Sequence, residues 1–197
     1  MTEFKIPSPE EFAELAAENY KQNCEMGWWD RPRTALETLQ LANTELCEAT
    51  EGARKDLYDD HLTDHKMEDV ELADFLLRLL DHGEHHGLSL IDETSCHTIK
   101  QAESDFIELT PVERHGSLAY VLFHALMPCF VNDWDRDNQQ TREGISKIYS
   151  HLCMLTIIAG KVSGYNTLET VKKKMAYNKT RADHTRAARS AENGKKF

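Results

Sequence analysis

Glycine and proline are scarce in this chain, nine and five in 197 residues, against a usual combined share of roughly 12%. Sheets joined by tight turns consume more of both, so the shortage argues against a hairpin-rich β fold and predicts an all-α chain. Positive charge is also short: 23 Lys and Arg stand against 34 Asp and Glu, a net charge of −11. Affinity for a nucleic acid polymer comes from clustered cations, so such a partner is not expected, whereas a phosphate ligand bridged by a divalent metal is compatible. The cysteines Cys24, Cys47, Cys96, Cys129 and Cys153 are odd in number and form no C-x-x-C pair. That argues against a disulfide framework or zinc knuckle and predicts a reducing, cytoplasmic setting. Long apolar runs are missing as well. Those near Leu152 to Ala159 fall far short of the roughly 20 residues of a membrane span, and the first residues carry no apolar leader core, so neither export nor insertion is expected.

What is present, 40% hydrophobic and 29% charged residues, is enough for a packed core in one domain or two small ones. Ser8-Pro9-Glu10-Glu11 is a helix start with a capping box, and that helix should stop at Gly27. Apolar positions from Leu36 to Ala49 keep a helical period to about Lys55, followed by a turn-like Asp56 to His65. A third periodic segment holds Val70, Leu72, Ala73, Leu76, Leu77 and Leu80 and ends at Gly83 or Gly87. Further helices are expected near Asp92 to Glu108, Pro111 to Val131, Glu143 to Ser163 and Thr167 to Thr180, with a loop from Asn132 to Gln140. The basic stretch 182–197 reads as a disordered, solubilising tail.

Leu41 to Ala49 can be laid on Leu118 to Leu126, and Gly83 to Gly87 on Gly160 to Gly164, both at a spacing of 77 positions without a gap. Duplication and chance similarity between amphipathic helix pairs both account for this.

Glu45 and Glu48 lie three apart, and so do Glu71 and Asp74 on the next helix. Each pair projects from one helix face, and antiparallel packing of neighbouring helices brings the two pairs together. Four converging carboxylates repel unless a cation sits between them, and a hard oxygen set selects Mg²⁺ or Mn²⁺. Solvated faces are the plain alternative, but both pairs interrupt apolar stripes. A di-iron bundle requires Glu-x-x-His on its ligand helices, which neither pair has.

Thr44-Glu45-Leu-Cys-Glu48-Ala-Thr-Glu-Gly-Ala-Arg54, Glu71-Leu-Ala-Asp74-Phe-Leu-Leu-Arg78-Leu-Leu-Asp81 and Lys174-Met-Ala-Tyr177-Asn178-Lys-Thr-Arg181 resemble the MazG-like nucleotide pyrophosphohydrolases of the all-α NTP pyrophosphatase superfamily. The resemblance covers about residues 8 to 90 and 165 to 181 and leaves out the middle, which compact members largely lack. It implies a MazG-like helical bundle, a homo-oligomer, and hydrolysis of a nucleoside triphosphate to monophosphate and pyrophosphate. Glu45, Glu48, Glu71 and Asp74 would then be metal ligands, with Glu48 or Glu45 serving in catalysis. By spacing alone Lys174, Asn178 and Arg181 suit a basic helix end complementing the dipole; the resemblance makes them, with Tyr177, phosphate-binding residues. Trp29 of the Trp28-Trp29 step is a candidate for stacking on a base, the alternative being one core residue and one lid. Asp81-His82-Gly83-Glu84-His85-His86 reads as a polar helix terminus and Cys47 as a small core residue.

At the spacing of 77, Glu45, Glu48, Glu71 and Asp74 fall on Leu122, Ala125, Ile148 and His151, while Lys174, Tyr177, Asn178 and Arg181 fall back on His97, Lys100, Gln101 and Ser104. Each half keeps what the other lacks. The expectation is a fused pseudo-dimer in which residues 1–90 carry the metal carboxylates and 91–181 stand in for a partner subunit, with an unrelated helical insertion as the alternative. Besides the enzyme, a non-catalytic nucleotide sensor and a helical assembly module remain open as functions.

Overall fold

The computed structural model describes residues 7–89, 96–131 and 138–191; among them the chain is helical, with one isolated bridge, Tyr58 to Lys66, and no strand. The helices are α1 (Pro9–Glu25), α2 (Ala35–Lys55), α3 (Met67–His86), α4 (Cys96–Ile107), α5 (Pro111–Val121), α6 (Met127–Val131), α7 (Gln139–Val162), α8 (Thr167–Thr180) and α9 (Arg186–Ser190). A π turn, Leu122–Leu126, joins α5 to α6, and a 3₁₀ turn, Ala182–His184, precedes α9. The Ser8 capping box forms as its sequence demands, each partner satisfying the other's backbone N–H. No described helix is long and apolar enough to cross a membrane.

α2 and α3 run antiparallel, as their contacts show: Thr38 Oγ1 meets His82 Nδ1 at 2.9 Å, Arg78 Nε donates to Glu45 at 3.0 Å, and Gly52 lies against Met67 and Glu68. Between them and α1, α5 and α7 sits one core that includes Phe12, Leu39, Phe75, Leu79, Leu118 and Leu152. α3 passes Gly83 without stopping. The helix needs a glycine there because a β-carbon would come within 2.4 Å of Cζ of Tyr149 on α7. It ends instead at Gly87, whose φ of 65° is the left-handed conformation that closes a helix. Gly83→Ala should therefore lower stability by about 2 kcal/mol through overpacking, read as a fall of about 5 °C in the thermal midpoint; an unchanged midpoint would contradict the close approach of α3 to α7.

α8 is clamped to the first turn of α3. Buried Asp69 accepts from Thr167 Oγ1 (3.0 Å) and Thr170 Oγ1 (2.6 Å), and buried Glu68 accepts from Ser163 Oγ and Tyr165 OH, both at 3.0 Å. Carboxylates at a helix N-terminus favour its dipole, and this clamp brings the face of α8 carrying Lys174 to the acidic face of α3.

Three expectations change. Residues 182–191 are not loose: Arg186 donates to the carbonyl of Cys24 (3.1 Å) and pairs with Asp30 (2.7 Å), which holds the segment on the end of α1; residues 192–197 lie outside the description. The expected Asn132 to Gln140 loop is shortened because Asn138 caps α7, accepting from Thr141 N at 3.0 Å, while 132–137 lie outside the described residues. The expected start of the fourth helix at Asp92 falls there too. His82 is core, 1% exposed, because α3 continues past it; burial, then His86 and His85, push its pKa well below the ordinary imidazole value.

Candidate functional site

Apolar stripes lock α2 to α3: Ala42, Leu46 and Ala49 face Leu72, Ala73 and Leu76, all buried. The residues beside those stripes are drawn into the seam, which is why Glu45 and Glu71 are only 8% and 7% exposed, a burial that carboxylates rarely reach without a partner. One carboxylate oxygen from each of Glu45, Glu71 and Asp74 lies within 4.8 Å of the others. Glu48 is exposed and outside this triad, although it lines the same cavity.

Two cations reach the triad. Lys174 Nζ is 2.8 Å from Asp74 Oδ2, and Arg78 Nε is 3.0 Å from Glu45 Oε1. The Glu71 carboxyl makes no hydrogen bond or ion pair with any described residue. Burial, followed by repulsion from Asp74, raises its pKa to about 9; Lys174 opposes the shift, and Glu45 and Glu48 add to it. Burial likewise raises Glu45 and Asp74 above the ordinary carboxylate range, against the pull of Arg78 and Lys174 respectively. Lys174 is itself desolvated, which opposes its charge, yet Asp74 and then Glu71 hold its pKa above the ordinary lysine value. Two ion pairs thus leave a buried, uncompensated carboxyl among three acidic groups. A divalent cation suits that set by charge and by its hard oxygen chemistry, displacing the Glu71 proton.

The triad opens on a cavity of about 710 Å³. Lys174 and Asn178 line it from one face of α8, as their spacing requires, and Arg181 lines it from the extended residue that follows the helix. Asn178 Oδ1 is buried with no partner among the described residues. Arg181 pairs with Asp183 at 2.7 Å. Tyr177 does not line the cavity; its ring stacks at 4.9 Å on His61, which does. Loop residues Asp59 and Asp60 complete this side.

The tryptophan expected to stack on a base lies elsewhere. Trp29 stacks on His85, centroids 3.8 Å apart and planes 3° from parallel, and its Nε1 donates to Asp81 at 3.2 Å. Trp28 lines the cavity instead, with the guanidinium groups of Arg33, Arg78 and Arg189 at 3.7, 4.9 and 5.1 Å from its ring. Adjacent residues point in different directions, and the sequence does not say which turns inward. Cys47 is exposed: two residues on from buried Glu45 it lies almost opposite on the helix, so it is turned to the outer face of α2 and not to the core.

Sequence reasoning passed over Arg78 and Asp81 as site residues, although they follow Asp74 by four and seven and so share its helix face. Asp81, buried, has its pKa raised to about 6, the hydrogen bonds from Asn23 and Trp29 acting against the shift. No protein-family description, curated protein or solved structure matches the chain.

Proposed function

We propose that this cavity hydrolyses a nucleoside or deoxynucleoside triphosphate to the monophosphate and pyrophosphate, with Mg²⁺ or Mn²⁺. One observation carries the reading: a carboxylate triad with two buried members, one of them unpartnered, shares a single cavity with Lys174, Arg78 and Arg181. A metal bound there would offset triphosphate charge and acidify a water. Glu45, Glu71 and Asp74 are the residues that would hold it. Glu48, exposed and outside the triad, is free to take a proton from the attacking water. Lys174 and Arg181 bind phosphate oxygens, and the volume lies within the range of small-molecule sites, roughly 300–1,000 Å³.

Several features support a MazG-like, fused pseudo-dimeric origin. α2 and α3 shifted by 77 positions fall on the α5–α6 stretch and on α7, within five residues at every boundary. Gly87 and Gly164 both close helices at positive φ, and both closures carry the same bond, Leu88 N to Gly83 O and Tyr165 N to Gly160 O. α2 packs on α5 and α6, and α3 on α7, like against like. The π turn Leu122–Leu126 falls on Glu45 to Ala49, so the counterpart of the first carboxylate turn is closed by buried Leu122 and Leu126. Lys174 reaches Asp74 within one chain; the homo-oligomer implied by the resemblance would be read as mass by sedimentation equilibrium.

Pyrophosphate release should be measured against each canonical ribo- and deoxynucleotide with Mg²⁺. Release with at least one, absent in chelator, is the expected result. Nucleotide binding without turnover would replace the enzyme by a sensor, and no thermal shift with metal or nucleotide would leave a helical assembly module.

A further inference from the structure

The segment after α8 has almost no large apolar side chains, yet it is folded onto the cavity. Arg186 ties it to α1 through Asp30 and the Cys24 carbonyl. Thr185 caps α9, accepting from Ala188 N at 3.2 Å. These ties bring Arg189 to the cavity wall, partly buried, 5.1 Å from the Trp28 ring, with Nε donating weakly to the His184 carbonyl at 3.4 Å. Among the described residues no carboxylate pairs with Arg189. Arg33 and Arg78 share the Trp28 ring, Arg181 lines the same cavity, and Asp183, which pairs with Arg181, is the carboxylate whose charge acts on Arg189. Burial and then Arg78 lower the Arg189 pKa, Asp183 opposing and Arg181 adding to the shift. Arg78 already pairs with Glu45 and Arg181 with Asp183, so Arg189 is the guanidinium on this wall left without a carboxylate partner among the described residues, at a free-energy cost unless an anion joins it. The indole supports part of that cost by cation–π attraction, and it does so without neutralising the charge.

We propose that residues 182–190 form a strap that delivers Arg189 to the cavity as a phosphate-binding residue, so that Arg189 joins Arg181 and Arg78 in gripping the polyphosphate chain of the ligand. The proposal rests on reading the cavity as a polyphosphate site. It assigns the basic tail a role in the site, where composition alone gives it a role in solubility. It also explains why Trp28 is buried against arginines and not left open to a base: the ring orients the grip.

The test is calorimetric titration of the full chain and its variants with inorganic tripolyphosphate in Mg²⁺, and with Mg²⁺ alone. Arg189→Ala should weaken tripolyphosphate binding about tenfold, the loss of a charge-assisted contact, and leave Mg²⁺ binding within about twofold, with helical circular dichroism unchanged. Arg189→Lys should recover part of the affinity, because a point charge replaces a planar fork. Arg186→Ala, which frees the strap from Asp30, should also weaken tripolyphosphate binding. Tripolyphosphate affinity unchanged in Arg189→Ala overturns the strap and leaves the proposed function standing. Arg189-dependent binding without nucleotide turnover overturns the hydrolase and supports the strap. A parent chain that binds no tripolyphosphate overturns both.

Discussion

Glu71→Gln should melt about 5–10 °C above the parent at pH 7 when both are metal-free, and should lose more than about a hundredfold in metal affinity and turnover. The Glu71 pKa is about 9 in the folded protein against 4.5 for an ordinary glutamate. Between those values the folded state holds a proton that the unfolded chain releases, so metal-free stability falls as pH rises from 4.5 and levels off near 9. At pH 7 that loss amounts to about 3 kcal/mol. Glutamine keeps the shape and removes the ionisation, so the variant gains over the parent at pH 7 and matches it near pH 4.5. Calorimetric melting at the two pH values reads the difference directly. Equal pH slopes in parent and variant would show that Glu71 is not held protonated by its neighbours, and retained turnover would remove it from the site.

Lys174→Met should act with the opposite sign. Its ammonium is buried against Asp74 at 2.8 Å, with side-chain exposures of 5% and 18%. Removing one partner of such a pair leaves the other charge desolvated and costs about 3 kcal/mol. The expected result is a large loss of stability in chelator that millimolar Mn²⁺ partly restores, because a cation bound by the triad takes over the neutralisation of Asp74 and favours the folded state by mass action. Denaturant melts with and without Mn²⁺ measure this. A loss of the same size in both conditions would place the cation elsewhere. Combining Lys174→Met with Glu71→Gln should cancel part of both effects, since the two residues interact through one charge cluster.

Much of this was legible in local chemistry. The Ser8 capping box, the apolar periods of α2 and α3 and the E-x-x-E and E-x-x-D spacings all act within one or two helix turns, and helix geometry alone converts such spacing into a shared face. Those signals sufficed for an all-α chain and for the gathering of Glu45, Glu71 and Asp74. Glu48 shows where they stop: it has the right spacing, but whether a helix-face residue enters the seam or stands outside depends on the depth of the neighbouring helix at that level.

The remaining features depend on contacts far apart in sequence. Gly83 and Gly87 are equal candidates for the end of α3 until Tyr149 is seen against Gly83. Trp28 and Trp29 are chemically alike, and only the packing of Arg33, Arg78 and Arg189 around one and His85 against the other separates them. The tail reads as loose because it lacks apolar side chains; its order comes from an ion pair with Asp30, more than 150 positions away. By itself, then, the sequence determined the helices, their faces and the acidic character of the site, because those follow from bonds and spacings within a turn. Which carboxylates are buried, which cations meet them and which tryptophan faces the cavity were decided by tertiary structure alone, since burial and charge pairing exist only once distant helices pack.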